Sequence, residues 1–188
     1  MQLYHIMWRL NQLCNYECAY CFRNGVDKDR LKEHSDCGKH SPERIAECFD
    51  NTQKTWRIHM TGGEPFLYPK FIDLARALVR NHQLSINTNL STSNVYDFAN
   101  EVPAPKVHAI NASAHILELE KRKNATKSFL EKFLFLQDKD FRVKLMYITY
   151  PPLLNRLKKD ITYFKAEGVK NLTIKIFRGQ YEGQLLSQ

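Results

Sequence analysis

The chain has 188 residues, of which 43% are hydrophobic and 26% charged, a composition typical of a globular domain with a sizeable core. Seven glycines, seven prolines and 12% aromatic residues exclude a collagen-like or mainly disordered chain. Lysine and arginine outnumber aspartate and glutamate by 28 to 20, a net charge of +8, but they are spread along the sequence, which disfavours a nucleic-acid partner. No apolar run approaches the ~18 residues that cross a membrane, and we see no secretory signal, so we expect a cytoplasmic protein without membrane contact.

Strand and helix patterns alternate along the chain. Short apolar, aromatic or β-branched runs predict strands, and apolar residues at helical spacing predict helices. Ser41 followed by Pro42 is a typical helix start, and Gly168 is a typical helix end. In chain order we predict strand Tyr4–Leu10, a polar loop over Asp27–His40, a helix from Pro42, strand Arg57–Thr61, helix Phe71–Leu78, strand Leu84–Asn87, helix Val95–Val102, strand Val107–Ala112, helix Phe129–Leu134, strand Val143–Tyr150, helix Leu154–Phe164 and strand Asn171–Phe177.

Six strands alternating with five helices predict right-handed βαβ units and an α/β fold with a parallel sheet. No linker rich in glycine, serine or proline divides the chain, so we expect a single domain over residues 1–188. In parallel α/β folds ligands bind beyond the carboxyl ends of the strands. Residues with unusual chemistry should therefore follow strands.

Three of the five cysteines lie close together directly after the first predicted strand: Cys14, Cys18 and Cys21. An odd number of cysteines in a chain without a secretory signal argues against a disulfide framework. The C-x3-C-x2-C spacing can hold three corners of a cubane iron–sulfur cluster and leaves the fourth iron without a protein ligand. A zinc site and a closed electron-transfer cluster are the alternatives, and Cys37 or a histidine could supply their fourth ligand.

The cysteine spacing, with an aromatic residue before the last cysteine, resembles the radical S-adenosylmethionine (radical SAM) superfamily. This resemblance implies a [4Fe–4S] cluster on Cys14, Cys18 and Cys21, and S-adenosylmethionine chelating the fourth iron. It also implies that Tyr20 packs near the adenine, and that the fold is a partial (β/α)6 TIM-like barrel. The implied activity is reductive cleavage of S-adenosylmethionine to a 5′-deoxyadenosyl radical, which abstracts a hydrogen atom from the substrate.

A second motif, Gly62, Gly63, Glu64 and Pro65, follows the second predicted strand. Glycines there let the backbone approach a ligand closely, and the Glu64 carboxylate can accept a hydrogen bond from an ammonium group. The position matches the family's methionine-amine-binding motif. We therefore expect a side chain at Gly63 to obstruct the methionine end of the cosubstrate and to leave the cluster in place.

Weaker motifs close the third and fourth predicted strands. Asn89 either orients the site or belongs to the following turn, and Leu90 stands where the family often has glycine. Ser113 matches a serine that in the family lies near the ribose. His115 stands where an acid is usual, and a partly exposed strand-end histidine is the simpler interpretation.

Several further residues have less specific patterns. At the ends of strands five and six, the candidates for the mouth of the barrel are Lys144, Met146, Lys175 and Arg178. The loop with His34, Cys37 and His40 offers a weak zinc pattern. Cys48 lies near the apolar side of the first helix, and we expect it to be a small buried hydrophobic residue.

The resemblance also implies partners. We expect a one-electron donor of the flavodoxin or ferredoxin type and a peptide, protein or small-molecule substrate, with peptide or protein modification favoured. Few residues follow the sixth predicted strand, so we expect the open side of the barrel to be closed by a longer polypeptide, of which residues 1–188 are the N-terminal part, by a partner, or by a large substrate. A non-enzymatic iron–sulfur or zinc-binding module is the alternative function.

Overall fold

The computed structural model describes residues 2–21 and 38–186. Six parallel strands form one sheet in which each strand pairs with its neighbours in sequence. This arrangement confirms the predicted α/β fold of partial-barrel type. The strands are β1 (Leu3–Asn11), β2 (Thr55–Gly62), β3 (Gln83–Thr88), β4 (Val107–Ala114), β5 (Val143–Thr149) and β6 (Leu172–Ile176).

Six α-helices are present in the described part of the chain, one more than predicted. They are α1 (Pro42–Asp50), α2 (Phe71–Leu78), α3 (Asn94–Glu101), α4 (Ile116–Glu120), α5 (Ala125–Asp138) and α6 (Leu157–Ala166). The predicted start of α1 is confirmed, since Ser41 Oγ accepts a hydrogen bond from the Arg44 amide at 3.2 Å and Pro42 is the first helical residue. Helix α4 was missed because five residues are too few to show an apolar period. Helix α6 begins later than predicted, since Pro151–Arg156 forms a 3-10 turn.

The sheet has one apolar face and one polar face, because side chains alternate along each strand. In β2, Ile58 and Met60 are fully buried against the helix layer, whereas Arg57 and His59 lie on the opposite face and are half-buried. Full burial of an aliphatic side chain contributes about 1.5–3 kcal/mol, so the helix side supplies the core. The polar face is left for ligand contacts.

The sixth strand is largely exposed on the face that continues the buried face of β5. Ile174 pairs in register with the fully buried Tyr147 of β5, yet Ile174 and Ile176 are 45% and 56% exposed. A two-stranded antiparallel hairpin, β7 (Gly179–Tyr181) and β8 (Gln184–Leu186), follows β6 and was not predicted. Most of the predicted loop Asp27–His40 lies outside the described residues. Of the helices that are described, none is long and apolar enough to cross a membrane.

Candidate active site

A cavity of about 490 Å³ lies at the carboxyl ends of the strands, and all six strands or the segments after them contribute to its wall. Nine of the ten predicted site residues line it: Cys14, Cys18, Tyr20, Cys21, Gly62, Gly63, Glu64, Asn89 and Ser113. The tenth, Pro65, is buried as the first residue of a 3-10 turn. Further lining residues that the sequence did not single out include Tyr16, Thr61, Thr88 and Ile148.

The three clustered cysteines reach this cavity from the segment after β1. Cys18 is buried, Cys14 and Cys21 are half-buried, and the Cys21 amide donates to the Cys18 carbonyl at 2.9 Å. Burial, together with the negative charges of Glu118, Cys14 and Cys21, raises the pKa of Cys18 to about 12. Three thiolates this close together need a cationic partner, so the donor set fits an iron–sulfur cluster.

A mononuclear metal site is a poorer fit to the described residues. No three of their His, Cys, Asp or Glu side chains are arranged to hold one metal ion. A cubane cluster does not need three ligands to converge on one ion, since each thiolate binds a different iron. The loop residues His34 and Cys37 lie outside the described residues, and His40 is exposed and does not line the cavity.

The two glycines hold the second motif against the cysteine segment. The Gly63 amide donates to the Asn11 carbonyl at 2.9 Å, and the Glu64 amide donates to the Leu13 carbonyl at 2.6 Å. A Cβ on Gly63 would lie 1.9 Å from the Leu13 carbonyl oxygen. The expectation that a side chain at this position would only obstruct a ligand is therefore wrong, because it would first displace the backbone next to Cys14.

The Glu64 carboxylate is buried and bonded within the protein. Its Oε1 accepts hydrogen bonds from the Thr88 hydroxyl at 2.6 Å and the Phe66 amide at 3.1 Å. Its Oε2 accepts from the Asn89 amide at 2.7 Å. Burial raises its pKa to about 7, although these three hydrogen bonds oppose the shift. Glu64 thus joins the loop after β2 to the end of β3, and its contact with an ammonium group stays a prediction.

The raised pKa of Glu64 predicts a pH effect on stability. The folded protein keeps this proton up to about pH 7, whereas the unfolded chain releases it near the ordinary value of 4.5. Between these values the folded state binds more protons, so rising pH lowers the free energy of unfolding. In denaturant unfolding of the metal-free proteins, the free energy of unfolding should fall more steeply with pH in the wild type than in Glu64→Gln. Histidines with a lowered pKa, such as His115, act in the opposite direction, but both proteins share them. Parallel pH profiles for the two proteins would contradict the assignment.

Asn89 forms side-chain hydrogen bonds in two directions. Its Nδ2 donates to Asn15 Oδ1 at 3.3 Å and lies 3.8 Å from Cys14 Sγ, while its Oδ1 accepts from the Ser91 amide at 2.9 Å. Asn89 therefore contacts the cysteine segment and also closes the turn after β3. Leu90 has a φ of 52°, a left-handed conformation that explains why glycine suits this position.

An aromatic group surrounds Tyr20. Its hydroxyl forms a 2.9 Å hydrogen bond with His115 Nδ1, and its ring centroid lies 5.0 Å from that of Tyr150 and 6.3 Å from that of Phe177. Burial raises the pKa of Tyr20 and lowers that of His115 to about 4, so both are neutral near pH 7. His115 is half-buried at the end of β4 and lines the cavity, as does Ser113.

Among the candidates at the barrel mouth, Met146 and Lys175 line the cavity, whereas Lys144 does not. Lys175 and Arg178 line an adjoining cavity of about 620 Å³ that also touches Tyr20. Cys48 does not belong to either cavity. It is exposed, so the expectation of a buried residue is wrong: the inward side of α1 is formed by Ala46 with Ile45 and Phe49, and Cys48 lies outside it.

Comparison with known proteins agrees with this geometry. The family model described as "Radical SAM superfamily" matches residues 8–162, a range that contains the three clustered cysteines and both glycines. The GTP 3',8-cyclase of Pectobacterium atrosepticum is 28% identical over 101 residues, which are 54% of this chain and 30% of that protein. The enzyme of the same name from Nostoc punctiforme is 35% identical over 80 residues, 40% of this chain and 24% of that protein. The chain matches about a third or less of the length of these relatives.

Solved structures show the same fold at low sequence identity. "Native anSMEcpe with bound AdoMet" has a TM-score of 0.68 at 15% identity and covers 96% of this chain and 55% of that one. Streptococcus suis SuiB bound to S-adenosylmethionine has a TM-score of 0.69 at 9% identity, covering 98% of this chain and 43% of that one.

Proposed function

Since the chain belongs to the radical SAM superfamily, we propose that it holds a [4Fe–4S] cluster on Cys14, Cys18 and Cys21 and cleaves S-adenosylmethionine reductively. The observation that carries the proposal is the pairing of two motifs across one cavity. Backbone hydrogen bonds from Gly63 and Glu64 to the segment before Cys14 place the second motif beside the cysteines. A ligand that chelates an open iron would reach the glycine loop from the same cavity.

The residues around the cavity bind and orient the cosubstrate. When bound, the cluster and S-adenosylmethionine supply a 5′-deoxyadenosyl radical that abstracts hydrogen from a substrate. We assign the methionine end to Gly62, Gly63, Glu64 and Pro65, the adenine to Tyr20, and the ribose to Ser113, with Asn89 orienting the cysteine segment. The rings around Tyr20 exclude water from one wall of the site.

A peptide or protein substrate is supported by the open side of the barrel. The cavity that adjoins the site is lined by Ile174, Ile176 and Phe177, so it offers an apolar surface next to Tyr20. Three of the similar structures contain a peptide: anSMEcpe with Kp18Cys peptide and with Cp18Cys peptide, both at 16% identity, and SuiB with precursor peptide SuiA, at 13%. At such identities these structures show the fold alone, so the apolar surface is the main support for this substrate class.

GTP is a second candidate substrate, because the sequence relatives are named GTP 3',8-cyclases. Lys175 and Arg178 lie where they could contact a phosphate group. We place this candidate second, since each of these relatives is matched over about a third of its length or less.

The proposed electron donor is a flavodoxin or ferredoxin. Such donors are commonly acidic, and the net charge of +8 would favour their approach. We expect no nucleic acid and no membrane among the partners. Localisation in the cytoplasm, where thiols stay reduced, remains part of the proposal.

Anaerobic reconstitution with iron and sulfide tests the proposed function. We expect four irons and four sulfides per chain and, after reduction with S-adenosylmethionine present, formation of methionine and 5′-deoxyadenosine. Protein stripped of iron by a chelator serves as the control and should form neither product. Addition of GTP or of a peptide mixture to the same assay compares the two substrate classes. Uptake of zinc without sulfide, and no 5′-deoxyadenosine, would favour the non-enzymatic module.

A further inference from the structure

The unpredicted helix α4 lies against the cysteine segment. Three side chains in or beside this helix contact the segment: Glu118 lies within the helix, His115 directly precedes it and Arg122 follows its end. They contact it in reverse order: His115 reaches Tyr20, Glu118 reaches Glu17 and Arg122 reaches Asn15. We call these three residues the α4 clamp.

Glu118 and Arg122 hold the backbone between Cys14 and Cys18. The Glu17 amide donates to Glu118 Oε2 at 3.2 Å, and Arg122 Nη2 donates to the Asn15 carbonyl at 2.6 Å. The Arg122 guanidinium also lies 4.6 Å from the centroid of the Tyr16 ring. All three residues between these two cysteines are therefore contacted by the α4 clamp.

The Glu118 carboxylate is a buried charge with several partners. Its side chain is 3% exposed, and it also accepts from Lys121 and lies 3.5 Å from Arg122. Burial raises its pKa, but the hydrogen bonds from Lys121 and the Glu17 amide, with the charges of Lys121 and Arg122, outweigh burial, and the net shift is downward. Burial of an ionised carboxylate costs free energy, which its hydrogen bonds offset here. Such a group is typical of a residue that fixes the position of its partners.

We propose that Glu118 and Arg122 are positioning residues that preset the cysteine segment for the cluster and tune its reduction potential through their opposite charges. This inference rests on the proposed function. A negative charge near the cluster disfavours the added electron, whereas a positive charge favours it. Loss of the Glu118 charge should raise the potential, and loss of the Arg122 charge should lower it. A purely structural role predicts no such opposite shifts.

Two pairs of variants separate the hydrogen bonds from the charges. Glu118→Gln keeps an acceptor for the Glu17 amide and removes the charge, so the cluster should stay bound and its potential should rise. Arg122→Lys keeps the charge but loses the planar contact with Tyr16, so the potential should stay close to wild type and iron should be lost faster. Glu118→Ala removes both the charge and the hydrogen bond, whereas Arg122→Gln removes the charge and the guanidinium contact with Tyr16. A lost hydrogen bond to a charged group predicts about tenfold to a hundredfold faster iron release to a chelator.

Lys121→Ala is the matched control. Lys121 contacts the same carboxylate, but its side chain is 60% exposed and no contact with the cysteine segment is seen in the described residues. Its iron release should match wild type. Hydrogen exchange of the Glu17 amide in metal-free protein adds a readout that needs no cluster, and Glu118→Ala should accelerate it while Glu118→Gln should not.

The outcomes distinguish this inference from the proposed function. If the wild-type protein binds no cluster, the proposed function is wrong, and the inference on the reduction potential falls with it. The inference alone would be overturned if the wild-type protein takes up a normal cluster but the reduction potentials of Glu118→Gln and Arg122→Gln are unchanged or shift in the same direction. If Glu118→Ala does not fold, the potentials of Glu118→Gln and Arg122→Gln still decide between these results.

Discussion

Alanine at any one of Cys14, Cys18 and Cys21 is expected to abolish iron–sulfur binding in the anaerobically reconstituted protein. All three cysteines line one cavity, and two thiolates do not hold a cubane firmly. Iron and sulfide analysis, with the visible absorption of the cluster, measures the loss. The fold should survive, because most of the hydrophobic core is formed by residues outside the cysteine segment, as circular dichroism of the metal-free variants would show.

Cys48→Ala is the matched control for these variants. Cys48 is exposed on α1 and does not line the cavity, so its variant should bind a full cluster. Cys37→Ala should also keep the cluster. Loss of the cluster in Cys37→Ala would indicate a site closed by four cysteines, which contradicts the open fourth iron.

Replacement of Gly63 by alanine is expected to impair cluster binding as well as cosubstrate binding. The added Cβ would lie 1.9 Å from the Leu13 carbonyl oxygen, and this oxygen accepts the Glu64 amide at 2.6 Å. Overpacking costs about 1–3 kcal/mol, and each 1.4 kcal/mol corresponds to about a tenfold change in affinity. In the absence of S-adenosylmethionine, the cluster content of the variant should therefore fall, and its iron should be lost to a chelator faster.

Gly183→Ala controls for a general effect of replacing glycine. Gly183 lies between β7 and β8, and nothing lies within 4 Å of its added Cβ, although its φ of 77° makes the variant mildly strained. Its cluster content should be normal. A Gly63→Ala protein with a normal cluster and a defect in S-adenosylmethionine binding alone would contradict the backbone argument and support obstruction of the ligand.

The order of the strands was predictable because each strand and each long helix carries its own local pattern. Runs such as Val143–Thr149 are rich in β-branched and aromatic residues, and α2 repeats apolar residues at helical spacing. Parallel pairing of sequential strands then follows from right-handed crossovers. Two features escaped this reasoning, since α4 and the β7–β8 hairpin are too short for a periodic pattern.

Most of the candidate site was also predictable, because its residues follow strands that end at one edge of the sheet. The cysteine spacing and the glycine pair mark their positions without any knowledge of contacts. Glu118 and Arg122 were missed. The single signal in the sequence was an acidic and a basic residue four apart after β4, a pattern common on solvated helices.

The sequence alone determined the order of elements, the three candidate iron ligands and the family resemblance, because spacing and periodicity are properties of neighbouring residues. Only the tertiary structure decided that Gly63 is needed for contact with Leu13, that Glu64 is bonded to the end of β3, and that α4 holds the cysteine segment. These contacts join residues 25 to 101 positions apart, from Glu64 and Asn89 to Glu17 and Glu118. Their partners depend on strand register and helix orientation, which no local pattern encodes.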